Sequence, residues 1–478
     1  MKFIDIEDLE VLPGRLAVWR PTAPLLPDNS GWAPDPRPAS HLQQAYLTDV
    51  LRHPTGPSWL ATAFELPGPL DTSALRRALL NWIDRHETLR SRLTPHGTGD
   101  PPRLRRTTLR PGAADVRRTV HGDFVDAPGL TARVERILDS GTDPLSWPSF
   151  VFLTVERPLS TTLLLGFDHH DVDGYSIFRI AGEIQELYGA ARRGHEPALE
   201  PVGAYPDFAE TERAEAAALG EGHPTVALWR DSLAGTGGEL PGFIMPLLAP
   251  EAARAVRQTG ACEWLLDAEE AHAFDLACRA RDGTFFSGVL ACLALAARER
   301  AGLRTFRAAV PFHTRRESRH REAMGWYVGI APVGVPVPDP DDFGRVLKEA
   351  TQSIGRARPL ADVPLPRVAE LLGRDLRVRF MVSYMDLRHI PGSTRWLRWR
   401  ATALRSRRVG TREVCLWVMR NHEGCYVSYR FPTSRTDRNA VLRYLAEFRH
   451  RMRRVAEPPT GPTIPCDATE GREPAPCG

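Results

Sequence analysis

The residues with most to offer chemically stand together at 168–174, where "DHHDVDG" ends the apolar run "TLLLGF". Five of the six positions from Asp168 to Asp173 are titratable: two histidines and three carboxylates. His169 is followed four residues later by Asp173 and then by Gly174, which gives the pattern His-x-x-x-Asp-Gly. A neutral imidazole can take a proton from an alcohol or amine near neutral pH, help typically worth about 10²–10⁴ in rate. Asp173 is placed to cap a helix or to hold the turn by pairing with an arginine. Gly174 has no Cβ, so backbone and substrate can approach closely there. The same stretch carries a second reading. His169-x-Asp171 is the first part of the two-histidine-one-carboxylate triad of non-haem iron oxygenases, with His313 or His422 as the distant ligand. Those oxygenases are all-β double-sheet barrels, and this chain is too helical for one.

The elements around this stretch must place it at a strand-to-helix junction, where a rigid scaffold lets side chains project into a cleft. "SFVFLTVE" (149–156) and "TTLLLGF" (161–167) read as strands, with Pro158 marking the hairpin turn between them. After Gly174 the period changes. Ile177, Ile180, Ala181, Ile184, Leu187 and Tyr188 recur at helical spacing, so 175–192 is an amphipathic helix. Upstream, 71–93 is expected as a helix with Leu75, Ala78, Leu79, Trp82 and Ile83 on one side. Residues 20–38 are too rich in proline for regular structure and read as a surface segment. The second half again mixes helices and strands. Helices are expected near 267–280, 284–301 and 342–356, strands near 304–311, 325–337, 378–384, 413–420 and 424–431, and a last helix over 435–455. The expected fold is α/β, two lobes with mixed sheets. The N-terminal lobe spans 1–200, a bridge 201–260, the C-terminal lobe 261–456, and a disordered tail 457–478.

The bulk numbers are those of ordinary soluble globular material, long enough for two or three domains or one large two-lobed enzyme. The chain has 478 residues, 42% hydrophobic and 25% charged, with a net charge of only +3. Nucleic-acid binding is not indicated. Only Lys2 and Lys348 are lysines, which we read as the coding bias of a GC-rich bacterium. The seven cysteines include no CxxC pair and read mostly as buried thiols in a reducing cytoplasm. The N-terminus "MKFIDIEDLE" has acids where a signal peptide would be basic, and no run of about 20 apolar residues offers a membrane span. A cytoplasmic protein is expected.

"DHHDVDGYS" and the helix after it resemble the active-site motif of the chloramphenicol-acetyltransferase-like superfamily, which includes nonribosomal peptide condensation domains and PapA-type acyltransferases. Four further stretches are similar in the same order: "RHETLRSRL" (85–93), "WRDSLAG" (229–235), "VPFHTRRES" (310–318) with "GWYVG" (325–329), and "VSYMDLRHIPG" (382–392). The resemblance covers about 450 residues. It implies two chloramphenicol-acetyltransferase-like lobes around a central cleft or tunnel. It implies a free-standing actinobacterial condensation enzyme of natural-product or complex-lipid biosynthesis. Such an enzyme takes an acyl group from a phosphopantetheine thioester, on an acyl or peptidyl carrier protein or on coenzyme A. It passes the group to a small hydroxyl or amine acceptor, with no bound cofactor or metal. The family pattern is His-His-x-x-x-Asp-Gly, with the second histidine catalytic. Aligned on Asp-Gly, Asp168 takes the first-histidine place and His169 the catalytic one, and His170 stays open as an alternative base. The motif aspartate of the family pairs with an arginine of the other lobe, which implies Arg315 here, or Arg316. A non-catalytic, binding member of the family is the alternative from outside enzymology. For "RHETLRS", a charged helix end and a functional role stand about even.

Other stretches are decoys. "DSL" at 231–233 looks like a carrier-protein serine motif without the carrier's bundle, and "DFG" at 342–344 reads as a helix start. Residues 395–412 hold seven arginines and no acid, either a solvated strand pair or a docking surface for something anionic.

Overall fold

The computed structural model describes residues 1–457 apart from 24–30, 54–55, 98, 100–101, 246–257, 340–341, 408–412 and 433–434. Of the expected tail 457–478, residues 458–478 lie outside the described residues. Along the first half run β1 (Phe3–Asp5), β2 (Gly14–Thr22), β3 (Trp32–Asp35), α1 (His41–Arg52), β4 (Trp59–Pro67), α2 (Thr72–Arg85), β5 (Ser91–His96), β6 (Arg103–Leu109), β7 (Asp115–Phe124), α3 (Ala127–Gly141), β8 (Phe150–Glu156), β9 (Ser160–Asp168) and α4 (Gly174–Arg193). Helices α5 (Tyr205–Ala217) and α6 (Pro224–Ala234) follow. The second half holds β10 (Gln258–Asp267), α7 (Ala268–Arg279), α8 (Phe285–Ala301), β11 (Thr305–His313), β12 (Val328–Pro336), α9 (Phe343–Ala357), α10 (Leu365–Leu372), β13 (Phe380–Asp386), β14 (Thr402–Arg405), β15 (Val414–Asn421), β16 (Gly424–Pro432) and α11 (Arg435–Ala456).

Two mixed sheets dominate. The first runs β1-β14-β4-β9-β8-β2-β7 and the second β10-β16-β15-β13-β11-β12, with a small sheet β3-β6-β5 beside them. β9 is central in the first sheet and reads as a near-continuous apolar run because both its faces are buried. Leu163, Leu165 and Phe167 pack with α2 and α4, while Leu164 faces Leu130, Val134 and Leu138 of α3. Gly166 is where α3 comes closest: a Cβ there would stand 2.3 Å from Leu138 Cδ2. In the second sheet's lobe, α8 is apolar all round and buried through most of its length, as its run "GVLACLALAA" requires.

The sheets do not divide cleanly at 260. Short β14 leaves the second half of the chain and inserts between β1 and β4, parallel to the former and antiparallel to the latter. Arg405 at its end and Arg430 on β16 both reach Asp5 of β1, at 2.6 and 2.7 Å, so a buried carboxylate ties the two sheets together.

Two expectations need correction. The helix expected over 71–93 ends at Arg85, and the chain is extended again from Ser91, because His86 adopts a β conformation and its side chain is drawn into a buried hydrogen bond with Glu183. The proline-rich 20–38 segment is partly regular: β2 reaches Thr22, and Pro34 sits in edge strand β3, where a missing N–H is tolerated. Helices α5 and α6 lie within 201–260, for which no secondary structure was expected. Asp342 does cap α9, accepting from Arg345 N at 3.0 Å, and Ser232 lies on α6 with its hydroxyl donating to Leu228 O.

Candidate active site

The turn 169–173 joins β9 to α4 and is fixed from both sides. The backbone N–H of His169 donates to Ser58 O at 2.9 Å, and that of Asp168 to Ser149 O at 2.9 Å. Asp173 is the N-cap of α4, accepting from Ser176 N at 2.8 Å. Its carboxylate also receives a two-pronged bond from Arg315, Nη1 to Oδ2 at 2.6 Å and Nη2 to Oδ1 at 3.0 Å, and a third from the Tyr327 N–H at 3.1 Å. Both partners are buried. Burial alone would raise the Asp173 pKa, but the Arg315 charge and these hydrogen bonds hold it below the usual carboxylate range. The guanidinium is sandwiched by aromatic rings, 4.3 Å from the Tyr327 centroid and 4.9 Å from that of Tyr175. Arg315 follows β11 of the second sheet, so this pair joins the two halves at the base of the turn. Arg316 points elsewhere, to Asp362 at 2.6 Å, and is half exposed. Gly174 faces Met385, whose Cε would lie 3.3 Å from an added Cβ.

The two histidines of the turn have different surroundings. His170 is buried, with Nδ1 on Asp168 Oδ1 at 2.8 Å and Nε2 3.3 Å from Asp171 Oδ1. Desolvation opposes its charged form, yet the Asp171 charge and the Asp168 bond carry its pKa upward. Asp171 is pushed up to about 6 by burial, against the pull of His170 and the Ser149 hydroxyl, which donates to it at 2.6 Å. Tyr46 donates to Asp168 Oδ2 at 2.9 Å, and Gln43 to the His170 carbonyl at 3.0 Å. His169, by contrast, is partly exposed, and its ring lies against Trp326 with centroids 4.5 Å apart. Trp326 also lines a largely apolar cavity of about 570 Å³ bordered by Leu42, Ala45, Tyr46, Leu365 and Leu376.

The stretch "RHETLRS" forms a buried brace behind α4. His86 Nε2 lies 2.7 Å from Glu183 Oε2, which also accepts from Trp82 Nε1 at 2.8 Å. Glu183 on α4 has its pKa lowered to about 2: burial opposes the shift, and His86, Arg179 and Arg85 overcome it. Arg90 donates to Leu109 O at 2.6 Å. Among the described residues, no group of three or more His, Cys, Asp or Glu side chains is arranged to hold a metal ion. Asp171 is occupied with Ser149 and His170, and His422 with the Ser393 hydroxyl at 3.1 Å. The described cysteines, Cys262, Cys278, Cys292, Cys415 and Cys425, are free thiols and all but Cys262 are buried. Sequence reasoning gave no role to Tyr46, Gln43, Ser149 or Trp326. "GWYVG" carried the only signal, an aromatic pair between glycines.

The condensation-domain family profile matches residues 35–384. Acyltransferase PapA3 of Mycobacterium tuberculosis is 28% identical over 463 residues, 95% of this chain and 96% of that protein. Trehalose-2-sulfate acyltransferase PapA2 of Mycobacterium bovis is 27% identical over 434 residues, 89% and 90% of the two. Among solved structures, PapA2 acyl transferase superposes with a TM-score of 0.86 at 24% identity, over 96% of this chain and 100% of that one. The first condensation domain of the calcium-dependent antibiotic synthetase gives 0.65 at 17%, over 89% and 97%.

Proposed function

The chain belongs to the condensation-domain family and is an acyltransferase, and from that premise we propose that His169 is its general base, acting between a phosphopantetheine thioester donor and a sugar hydroxyl of the trehalose type. The observation that carries this reading is the asymmetry of the turn: His170 is enclosed by two carboxylates, while His169 is partly exposed against Trp326. The product class follows the activities named for the relatives, which acylate trehalose sulfates. The donor is delivered on a carrier protein or on coenzyme A.

The His169 imidazole takes the proton of the acceptor hydroxyl as its oxygen attacks the thioester carbonyl. The tetrahedral oxyanion collapses, the C–S bond breaks, and the thiolate leaves with the proton returned from His169, so ester and thiol are formed. Asp173 acts through position. Locked by Arg315 and capping α4, it sets the angle at which the turn presents His169. A thioester donor panel with trehalose and trehalose sulfate as acceptors, scored by product mass, tests the assignment. His169→Ala is expected to lower turnover by about 10²–10⁴ with an unchanged melting temperature. Full turnover in a folded His169→Ala protein would overturn the assignment.

A further inference from the structure

The turn after β13 builds a second charged region that the chemistry above does not use. Residues 393–400 carry Arg395, Arg398 and Arg400, all exposed, around the partly buried Trp399. Among the described residues none of these three arginines has an acidic partner. The turn is rigid. Trp396 is buried against Phe178, and Ala401 N donates to Trp396 O at 2.9 Å. Glu65 N of β4 donates to Trp399 O at 2.7 Å, and Arg400 is held at φ 47°, a left-handed conformation that a non-glycine residue adopts only under constraint. The Trp399 ring covers Gly392, where a Cβ would lie 3.1 Å away.

Arg395, Arg398 and Arg400 border a cavity of about 660 Å³ with Arg193 of α4, whose Nε bonds His195 rather than an acid. Glu65 and Glu186 also line it, but Glu65 is paired with Arg157 at 2.8 Å, which leaves Glu186 against four arginines. Around this cationic floor stand three of the seven exposed large apolar side chains among the described residues. Leu159, at the tip of the β8–β9 hairpin, is 85% exposed, Leu397 74% and Leu12 54%. Leu12 and Leu159 line the cavity itself, and Leu397 lies between two of the arginines.

Arginines outside any ion pair, exposed leucines from three separate loops and a tryptophan in the same cavity wall form the composition of a surface that lies in a lipid interface. The apolar tips enter the acyl boundary and the cations meet anionic headgroups. We propose that this face docks the protein onto an anionic membrane surface. Leu159 lies one residue before β9, whose other end is Asp168, about 30 Å away at the usual rise per residue, so the face recruits the enzyme rather than contacts the reacting atoms.

Flotation of the full chain with vesicles tests this, using phosphatidylcholine alone and equal parts phosphatidylcholine and phosphatidylglycerol. The wild type is expected to float with the anionic vesicles only, and to be released in about 1 M salt, where the screening length is roughly 3 Å. The triple variant Arg395→Gln, Arg398→Gln, Arg400→Gln should bind on the order of 10²-fold more weakly. A second variant, Leu159→Ser with Leu397→Ser, leaves the charges in place and should also weaken binding. Both are surface changes and should keep the wild-type melting temperature and turnover on soluble substrates. Absence of wild-type binding, equal binding to neutral vesicles, or binding indifferent to both variants would each overturn the proposal. So would capture of an acidic carrier protein by these arginines without vesicle binding, which would make the face a protein-docking surface.

Discussion

The turns at 168–174 and 393–400 are both crowded with charge, and they handle it in opposite ways. In the first, Asp168 is answered by Tyr46 and His170, Asp171 by Ser149 and His170, and Asp173 by Arg315. In the second, three arginines project and none forms an ion pair among the described residues, although Glu186 shares their cavity. The difference follows from burial. A charge taken out of water needs a partner and hydrogen bonds, whereas one left in water needs neither. Charges in the first turn are therefore committed to geometry, and those in the second are left for something outside the chain.

The largest effect expected from this contrast is on stability at the Asp173–Arg315 pair. Arg315→Ala leaves a buried carboxylate unpaired and should cost about 3–5 kcal/mol. Arg315→Lys should recover only part of it, because an ammonium cannot fork two oxygens as the planar guanidinium over the Tyr175 and Tyr327 rings does. Urea unfolding followed by tryptophan fluorescence measures both. An Arg315→Ala midpoint equal to wild type would erase the distinction between the turns.

Next comes the brace behind α4. The Glu183 carboxyl titrates near 2 in the fold, against an ordinary value of 4.5. Folding therefore favours its ionised form. The stabilisation is present above about pH 4.5 and is lost as pH falls through 2, a linkage of about 3 kcal/mol. Glu183→Gln should be less stable than wild type at neutral pH, with the gap closing over that acid window. A gap constant from pH 7 to 2 would show that Glu183 is not held ionised by His86 and Arg179.

A smaller effect separates the two histidines. His170→Ala removes the imidazole that lies between Asp168 and Asp171 and leaves both buried carboxyl groups without it. Asp171 already titrates near 6, so the variant should be destabilised by about 2 kcal/mol at about pH 8. Part of that should return by about pH 5, as Asp171 takes up a proton. The folded variant should retain turnover, where His169→Ala loses it. Loss of turnover in a well-folded His170→Ala protein, with His169→Ala active, would exchange their roles.

How far the sequence already contained this depended on the range of the interaction. The hairpin around Pro158, helix 175–192 and most second-half elements were legible from periodicity, with α8 expected at 284–301 and found at Phe285–Ala301, while β10 and α10 were not expected. The insertion of β14 beside β1 was not, because it depends on pairing between residues some 400 positions apart. At the site, the pattern pointed to His169, Asp173 and Gly174, and the resemblance to Arg315. Which histidine is enclosed is decided by residues from α1 and the start of β8, none of which has a local signature. "RHETLRS" was ambiguous for the same reason: its partner Glu183 lies 97 positions away from His86.

The smallest expected effect closes the comparison. Arg398→Ala removes a charge as large as that of Arg315 from a turn no less ordered in its backbone, and yet it should change stability by less than about 0.5 kcal/mol. No buried acid loses a partner, and the backbone bonds that hold the turn, from Ala401 N to Trp396 O and from Glu65 N to Trp399 O, do not involve the side chain. Removing like-charge repulsion from Arg395 and Arg400 can only offset the loss, and salt should mute that gain over a Debye length of about 8 Å. Urea midpoints at low and physiological ionic strength measure it. A loss of more than about 1 kcal/mol would mean that Arg398 is satisfied within the fold, and the two turns would then differ in exposure but not in how their charges are used.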